Sequence, residues 1–172
     1  MELTMLSQKA KLMKPSPTLA LNARAKKLAA EGHNVLALSV GEPDWNSFEA
    51  VIDAAKSALS EGLTKYSPSN GIPELRKVIA EDVSQFLKIT YTADEVSVTS
   101  GAKFSIFAAF QALLDPQNEV IIPAPYWVSY PTMVELAGGT PVIAMCDDKS
   151  NFKLTAQILE KHINIKTKLL VL

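Results

Sequence analysis

The chain has 172 residues, 48% of them hydrophobic and 20% charged, with a formal net charge of −1. Its length suffices for one domain burying roughly 70% of its extended-chain surface, and its composition is that of an ordinary globular chain rather than a disordered or fibrous one. The near-neutral charge, without a basic run, argues against a nucleic-acid surface; no apolar run reaches the roughly 18–20 residues of a membrane span, Met1–Lys14 lacks the apolar block of a secretory signal, and a cytoplasmic protein with no membrane partner is expected.

Met1–Lys14 is mixed in composition and is expected to be mobile. Pro15-Ser16-Pro17-Thr18 offers a helix start, with Ser16 as cap and Pro17 at the first helical position, and Leu19–Glu31 reads as helix closed by Gly32. The apolar run Val35–Val40 predicts a short strand stopped by Gly41-Glu42-Pro43-Asp44. Phe48–Gly62 is helical by the spacing of Val51, Ile52, Ala55, Ala58 and Leu59. A loop dense in turn residues, Lys65–Pro73, follows, and Pro73 opens a helix running to about Leu87. Tyr66 stands at the loop's mouth; its default role is a partly buried packing tyrosine, although its hydroxyl could reach a phosphate.

Glu95–Thr99 alternates apolar and polar residues and predicts a strand; Ser100-Gly101 breaks it, and Phe104–Leu114 continues as an almost wholly apolar helix. The turn therefore sits at a helix N-terminus, where unpaired amides and the positive end of the helix dipole favour an anion, most plausibly a phosphate. Lys103 adds a full positive charge. A Ser-Gly turn of this kind also occurs in α/β proteins that bind nothing there. The next predicted strand, Glu119–Ile122, ends at Pro123-Ala124-Pro125-Tyr126-Trp127. Ligands collect beyond the carboxyl ends of parallel strands, so an anion site and a flat aromatic face could meet there, as an aromatic phosphate ester requires. Tyr130–Ala137 then reads as helix, Thr140–Met145 as strand, Asp147–Phe152 as a polar loop, Thr155–His162 as helix and Lys168–Leu172 as a further buried strand.

Other polar groups read as structure. The single cysteine, Cys146, follows an apolar strand and is expected to pack rather than react. His33 and His162, the only histidines, give a metal site little support. Asp147-Asp148 is most simply a solvated loop, and Glu42 and Asp44 flank a proline as turn residues.

Taken together, Lys14-Pro15-Ser16, Val40-Gly41-Glu42-Pro43-Asp44, Thr64-Lys65-Tyr66-Ser67-Pro68, Asn70-Gly71-Ile72-Pro73-Glu74-Leu75-Arg76, Val98–Lys103 and Pro125–Pro131 resemble, in order and spacing, the class I aminotransferases of the pyridoxal-phosphate fold-type I superfamily, most closely the bacterial aspartate aminotransferase branch. The resemblance covers nearly the whole chain. It implies an α/β three-layer sandwich with a mostly parallel sheet, residues 1–46 forming an N-terminal segment and part of a small domain, and 47–172 an incomplete large domain. It further implies that Gly101, Ala102 and Lys103 cradle the phosphate of pyridoxal 5′-phosphate and that Trp127 stacks on its pyridine ring at the substrate-binding face. Gly41 would meet the substrate carboxylate through its N–H, and Tyr66 would reach the neighbouring subunit's cofactor phosphate in a homodimer.

Two departures stand out: Ala102 replaces a glycine seen in close relatives, and Trp45-Asn46-Ser47-Phe48 replaces the usual Phe-Asp-Thr-Pro, so the substrate entrance is expected to differ in shape. The Schiff-base lysine, the aspartate partner of the pyridinium nitrogen and the arginine for the substrate α-carboxylate find no counterpart in this sequence. No residue is therefore assigned as catalytic, and Lys103, beside the phosphate, is badly placed to substitute. The resemblance implies the N-terminal portion of an enzyme moving the amino group of L-aspartate to 2-oxoglutarate, ending in an apolar strand that looks cut. A relative acting on prephenate, aromatic amino acids or alanine is the alternative within the class. Outside it stand a naturally short phosphate-binding chain without catalysis and a generic nucleotide-binding α/β domain, the latter lacking any Gly-x-Gly-x-x-Gly or Walker loop.

Overall fold

The computed structural model describes residues 5–13, 17–38 and 41–172. In chain order its elements are α1 (Gln8–Leu12), α2 (Pro17–Ala30), α3 (Glu49–Ser60), α4 (Pro73–Leu87), a 3₁₀ turn (Ala93–Glu95), α5 (Ala102–Leu113), β1 (Glu119–Ala124), α6 (Ser129–Ala137), β2 (Thr140–Met145), a second 3₁₀ turn (Asp148–Ser150), α7 (Ala156–Glu160) and β3 (Thr167–Leu170). Two compact units emerge: Met1–Gly41 with Ile106–Leu172, and Glu42–Ser105.

The first unit is built on a parallel sheet of order β2-β1-β3. Glu119 pairs with Thr140 on one side and Thr167 on the other, and the register to β3 shifts between Glu119 and Val120. Central strand β1 is a continuous apolar run because both of its faces are covered: Val120, Ile121 and Ile122 are 0% exposed. Side chains alternate across a strand, so Ile121 points away from the face that carries Val120 and Ile122. Its complete burial means helices and loops cover both faces, as the expected three-layer α/β arrangement requires. On the Val120 and Ile122 face the core closes with Phe110 and Leu114 at the end of α5 and with Met133, Val134 and Ala137 of α6. Burial of each large aliphatic stabilises the fold by about 1.5–3 kcal/mol. Cys146 is buried at the end of β2, the packing role read from the sequence.

The second unit has little apolar interior. Helix α3 buries no residue, and α4 buries only Arg76 and Ala80. Polar contacts hold it instead. Ser84 Oγ, which donates to Ala80 O, accepts the Tyr91 N–H at 2.8 Å, folding the chain back on α4. Thr92 and Glu95 form a capping box on the first 3₁₀ turn, with the Glu95 carboxylate accepting the Thr92 N–H at 2.8 Å. Gly71 takes φ of +105°, and a Cβ there would come within 2.7 Å of Val98 Cβ, so loop and facing segment touch with no room for a side chain.

Most expected elements are present, with α2 opening on Pro17 as anticipated; Ser16, its expected cap, and the Lys14-Pro15-Ser16 landmark lie outside the described residues, as do Met1–Thr4. Within Met1–Lys14, Ser7 Oγ caps the N-terminus of α1 by accepting the Ala10 N–H at 3.1 Å. Three expectations are corrected. The last strand is Thr167–Leu170 and alternates half-buried with exposed residues instead of being buried. Residues 35–38 form no strand, and Leu36 and Leu38 are 90% and 97% exposed; Ser39 and Val40 lie outside the described residues. Glu95–Thr99 is also not a strand: Glu95 ends the 3₁₀ turn, and the Val98 N–H goes to Asn70 O at 3.0 Å rather than to a ladder. Both segments have the apolar pattern of a strand, but a strand also needs a partner, which pattern does not specify.

Gly71→Ala is expected to lower stability by about 2 kcal/mol or more, since it adds both a positive-φ penalty and a clash; an unchanged urea midpoint would show that the loop does not pack on Val98. Glu95 has its carboxyl pKa held below the ordinary value by the Thr92 N–H, then by the Thr92 hydroxyl. A depressed folded-state pKa gives stability that is present above the unfolded value and is lost as pH falls through the folded one. Wild type should therefore lose more stability on acidification than Glu95→Gln, and parallel urea midpoints for the two across that window would refute the contribution.

Candidate active site

At the head of α5 the chain turns sharply. The Gly101 N–H donates to Thr99 O at 2.8 Å and Gly101 takes φ of +94°, a conformation that favours glycine. Thr99 Oγ1 donates to Gly101 O at 3.0 Å and shares a hydrogen bond with Ser105 Oγ. Ala102 and Lys103 are the first two residues of this 12-residue helix, so their amides belong to the turn that has no intrahelical acceptors. A Cβ built on Gly101 meets nothing within 4 Å, so an anion can approach the turn closely. The helix dipole adds positive potential there. Because Val96–Thr99 is not a strand, the turn lies at a helix N-terminus but not at a strand end.

Within the first unit, a cavity of about 320 Å³ opens beyond the carboxyl ends of all three strands. Tyr126 and Trp127 follow β1, Phe152 and Leu154 follow β2, and Val171 follows β3. This is where a parallel sheet gathers ligand contacts. Trp127 is half-exposed, and its ring partner is Tyr130, edge-on at 5.4 Å between centroids and 89° between planes, rather than the adjacent Tyr126. That pair leaves the indole oriented with one aromatic edge against it. The volume falls within the range of small-molecule sites, roughly 300–1,000 Å³, and the lining suits a flat, largely apolar ring.

Residues 33–172 match the profile of the family described as aminotransferase class I and II. The chain is 44% identical over 167 residues to aspartate aminotransferase from Bacillus subtilis (strain 168), covering 97% of this chain and 42% of that protein. It is 46% identical over 166 residues to a probable aspartate/prephenate aminotransferase from Thermus aquaticus, covering 96% of this chain and 43% of that one. Among solved structures, aspartate aminotransferase from Thermus thermophilus with maleate superposes with a TM-score of 0.93 at 44% identity, over 97% of this chain and 44% of that chain.

The chain belongs to the class I and II aminotransferases. It spans less than half the length of these relatives. Its α/β architecture with a parallel sheet is a partial domain of the fold-type I aminotransferases, and membership in the family implies pyridoxal 5′-phosphate as cofactor. Each unit by itself holds a feature that fits part of that group: the open helix N-terminus of the second suits a phosphate ester, and the aromatic strand-end cavity of the first suits a flat ring. Of the expected site residues, Gly101, Ala102, Lys103 and Tyr66 lie in the second unit, and Gly41 and Trp127 in the first. Tyr66 is 107% exposed, so it is not the packing tyrosine of the default reading. Gly41 is exposed, and a Cβ there would meet nothing within 4 Å.

The strand-end cavity is also lined by residues that sequence reasoning missed. Asp147–Phe152 reads as a polar loop, yet Phe152 lines the cavity, held at φ of +56° with its N–H on Asp147 O at 2.8 Å. Leu154 lines it as well. Only Tyr130 left a local signal: three residues after Trp127, it falls on the same side of one helical turn. Among the described residues no group of His, Cys, Asp and Glu could hold a metal ion, and no helix is long and apolar enough to cross a membrane. In a Trp45→Phe background, Tyr130→Ala should broaden and red-shift Trp127 emission and cost about 0.5–1.5 kcal/mol, with Tyr130→Phe near wild type. Identical emission from all three would show that Tyr130 does not hold the indole.

Proposed function

We propose that this chain is the N-terminal portion of an aspartate aminotransferase, which transfers the amino group of L-aspartate to 2-oxoglutarate by a ping-pong reaction giving oxaloacetate and L-glutamate. The observation that carries the reading is the match, along nearly the whole chain, to proteins named for that activity. Residues 1–46 then supply the N-terminal segment and part of the small domain, and 47–172 an incomplete large domain. The enzyme works in the cytoplasm.

In this reading Gly101, its own N–H held by Thr99 O, gives the cofactor phosphate room to approach, Ala102 and Lys103 offer their backbone amides, and Lys103 adds charge. Trp127 takes the flat face of the ring, with Tyr130 holding the indole, and the apolar strand-end walls keep water from the reacting carbon. The Gly41 N–H receives the substrate carboxylate. Tyr66, fully exposed in this chain, reaches the phosphate of a neighbouring subunit, which makes a homodimer the working unit. When bound, the cofactor supplies an electron sink for the carbon that loses its proton. The residues of this chain bind and orient; none of them is assigned the proton transfer.

Identity to a probable aspartate/prephenate aminotransferase favours a second reading in which the same pocket also accepts prephenate. The test is oxaloacetate formation from L-aspartate and 2-oxoglutarate by the whole protein, with prephenate as a competing acceptor. Oxaloacetate release by the whole protein and none by the 172-residue chain is expected. Turnover of prephenate or aromatic amino acids without L-aspartate would replace the substrate, and no turnover with any amino acid would leave a phosphate-binding chain without catalysis.

A further inference from the structure

Arg76 is the buried charged side chain among the described residues, 8% exposed, and no cofactor or substrate role is assigned to it. It projects from the first turn of α4, and each of its three guanidinium nitrogens faces an acceptor. Nε donates to Val96 O at 2.9 Å, Nη2 donates to Ala93 O, and Nη2 lies 3.3 Å from the Asp94 carboxylate. With its amide oriented to satisfy both groups, the Asn70 side-chain oxygen accepts from Nη2 and Nη1 at 3.1 and 3.0 Å. The Asn70 main-chain oxygen takes the Val98 N–H at 3.0 Å, and Gly71 abuts Val98. One guanidinium therefore ties the loop that carries Tyr66 to the segment Val96–Thr99, which runs directly into the Gly101 turn. All of these groups lie in one compact unit.

We propose that Arg76 is a positioning residue for the phosphate-binding turn: through Val96 and Asn70 it fixes the backbone that leads through Gly101 and aims the Ala102 and Lys103 amides. The inference rests on the reading of that turn as the cofactor-phosphate cradle. Since Val96–Thr99 has no ladder, the turn's geometry depends on these side-chain bonds. The same guanidinium also sets the loop from which Tyr66 projects, so the phosphate contact within the subunit and the one offered to the neighbour share one anchor.

The test compares equilibrium binding of pyridoxine 5′-phosphate and pyridoxine to the whole protein freed of its cofactor. The two ligands share a ring, differ in the phosphate, and lack the aldehyde that would react with surface lysines. Wild type is expected to prefer the phosphate ester. Arg76→Met should reduce that preference by about tenfold, as a displaced anion-binding amide would, with pyridoxine affinity unchanged. Arg76→Lys, which keeps the charge but loses the fork, should fall between. Should Arg76→Met lose its far-ultraviolet dichroism, Asn70→Ala, which keeps the Arg76 bonds to Val96 and Ala93, carries the same test with a loss of about threefold. An unchanged preference, or equal weakening of both ligands, overturns the positioning role. A wild-type protein without any phosphate preference overturns the cradle itself, and the positioning role with it.

Discussion

Because β1 is paired on both edges and carries Val120, Ile121 and Ile122 without exposed surface, its neighbours in the first unit are placed by the need to keep water from it. Parallel neighbours must be reached by crossovers, and α6 and α7 supply them. The crossovers run from the carboxyl end of one strand to the amino end of the next, so loops with freedom to carry polar or aromatic residues accumulate at the carboxyl ends. The cavity bounded by Trp127, Phe152 and Val171 is therefore a by-product of the topology that buries β1. Substitution along β1 would disturb the site through the sheet, although none of Val120 or Ile121 lines it.

The second unit is ordered by a different kind of force. Its helices expose much of their apolar surface, with Val51, Leu59, Val78 and Phe86 all open to solvent in this chain. What gives it a defined backbone is a set of directional bonds around Arg76, Ser84 and Glu95. Hydrophobic burial tolerates small shifts of the backbone, whereas hydrogen bonds weaken steeply with angle and distance. A turn meant to present several amides to one anion gains from the second kind of constraint.

Much of this was legible in the sequence, and the pattern of success is physical. Pro17, Pro73, Gly62 and Gly138 mark helix ends by local backbone chemistry, and the structure puts ends there. Strand β1 was legible as an apolar run because a strand buried on both faces has no polar alternation to confuse the reading, whereas β2 and β3, partly exposed at the sheet's edges, were legible from their apolar composition. Residues 35–38 and 96–99 carry the same kind of signal, but pairing is non-local and these segments have no ladder. The site divides in the same way. Gly101 and Trp127 stood out because a glycine before an apolar helix and an aromatic after a strand are local features. Phe152 and Leu154 did not, since they reach the cavity only after β2 has crossed beside β1.

The absence of a strand before Gly101 changes what the turn can tolerate. A strand end is held by a ladder of redundant bonds, so losing one costs little geometry. Val96–Thr99 is held to other segments by few contacts, chiefly Val96 O to Arg76, Val98 N–H to Asn70 O and Val98 Cβ against Gly71, while Thr99 bonds locally to Gly101 and Ser105. Each is therefore separately consequential for the direction of the amides that follow. Ala102 in place of glycine is compatible with the proposed cradle, in which the amide and not the side chain would meet the anion, since a methyl group at a helical φ leaves the backbone where it was. The position that cannot change so freely is Gly71, far from Val98 along the chain yet pressed against the segment that aims the turn.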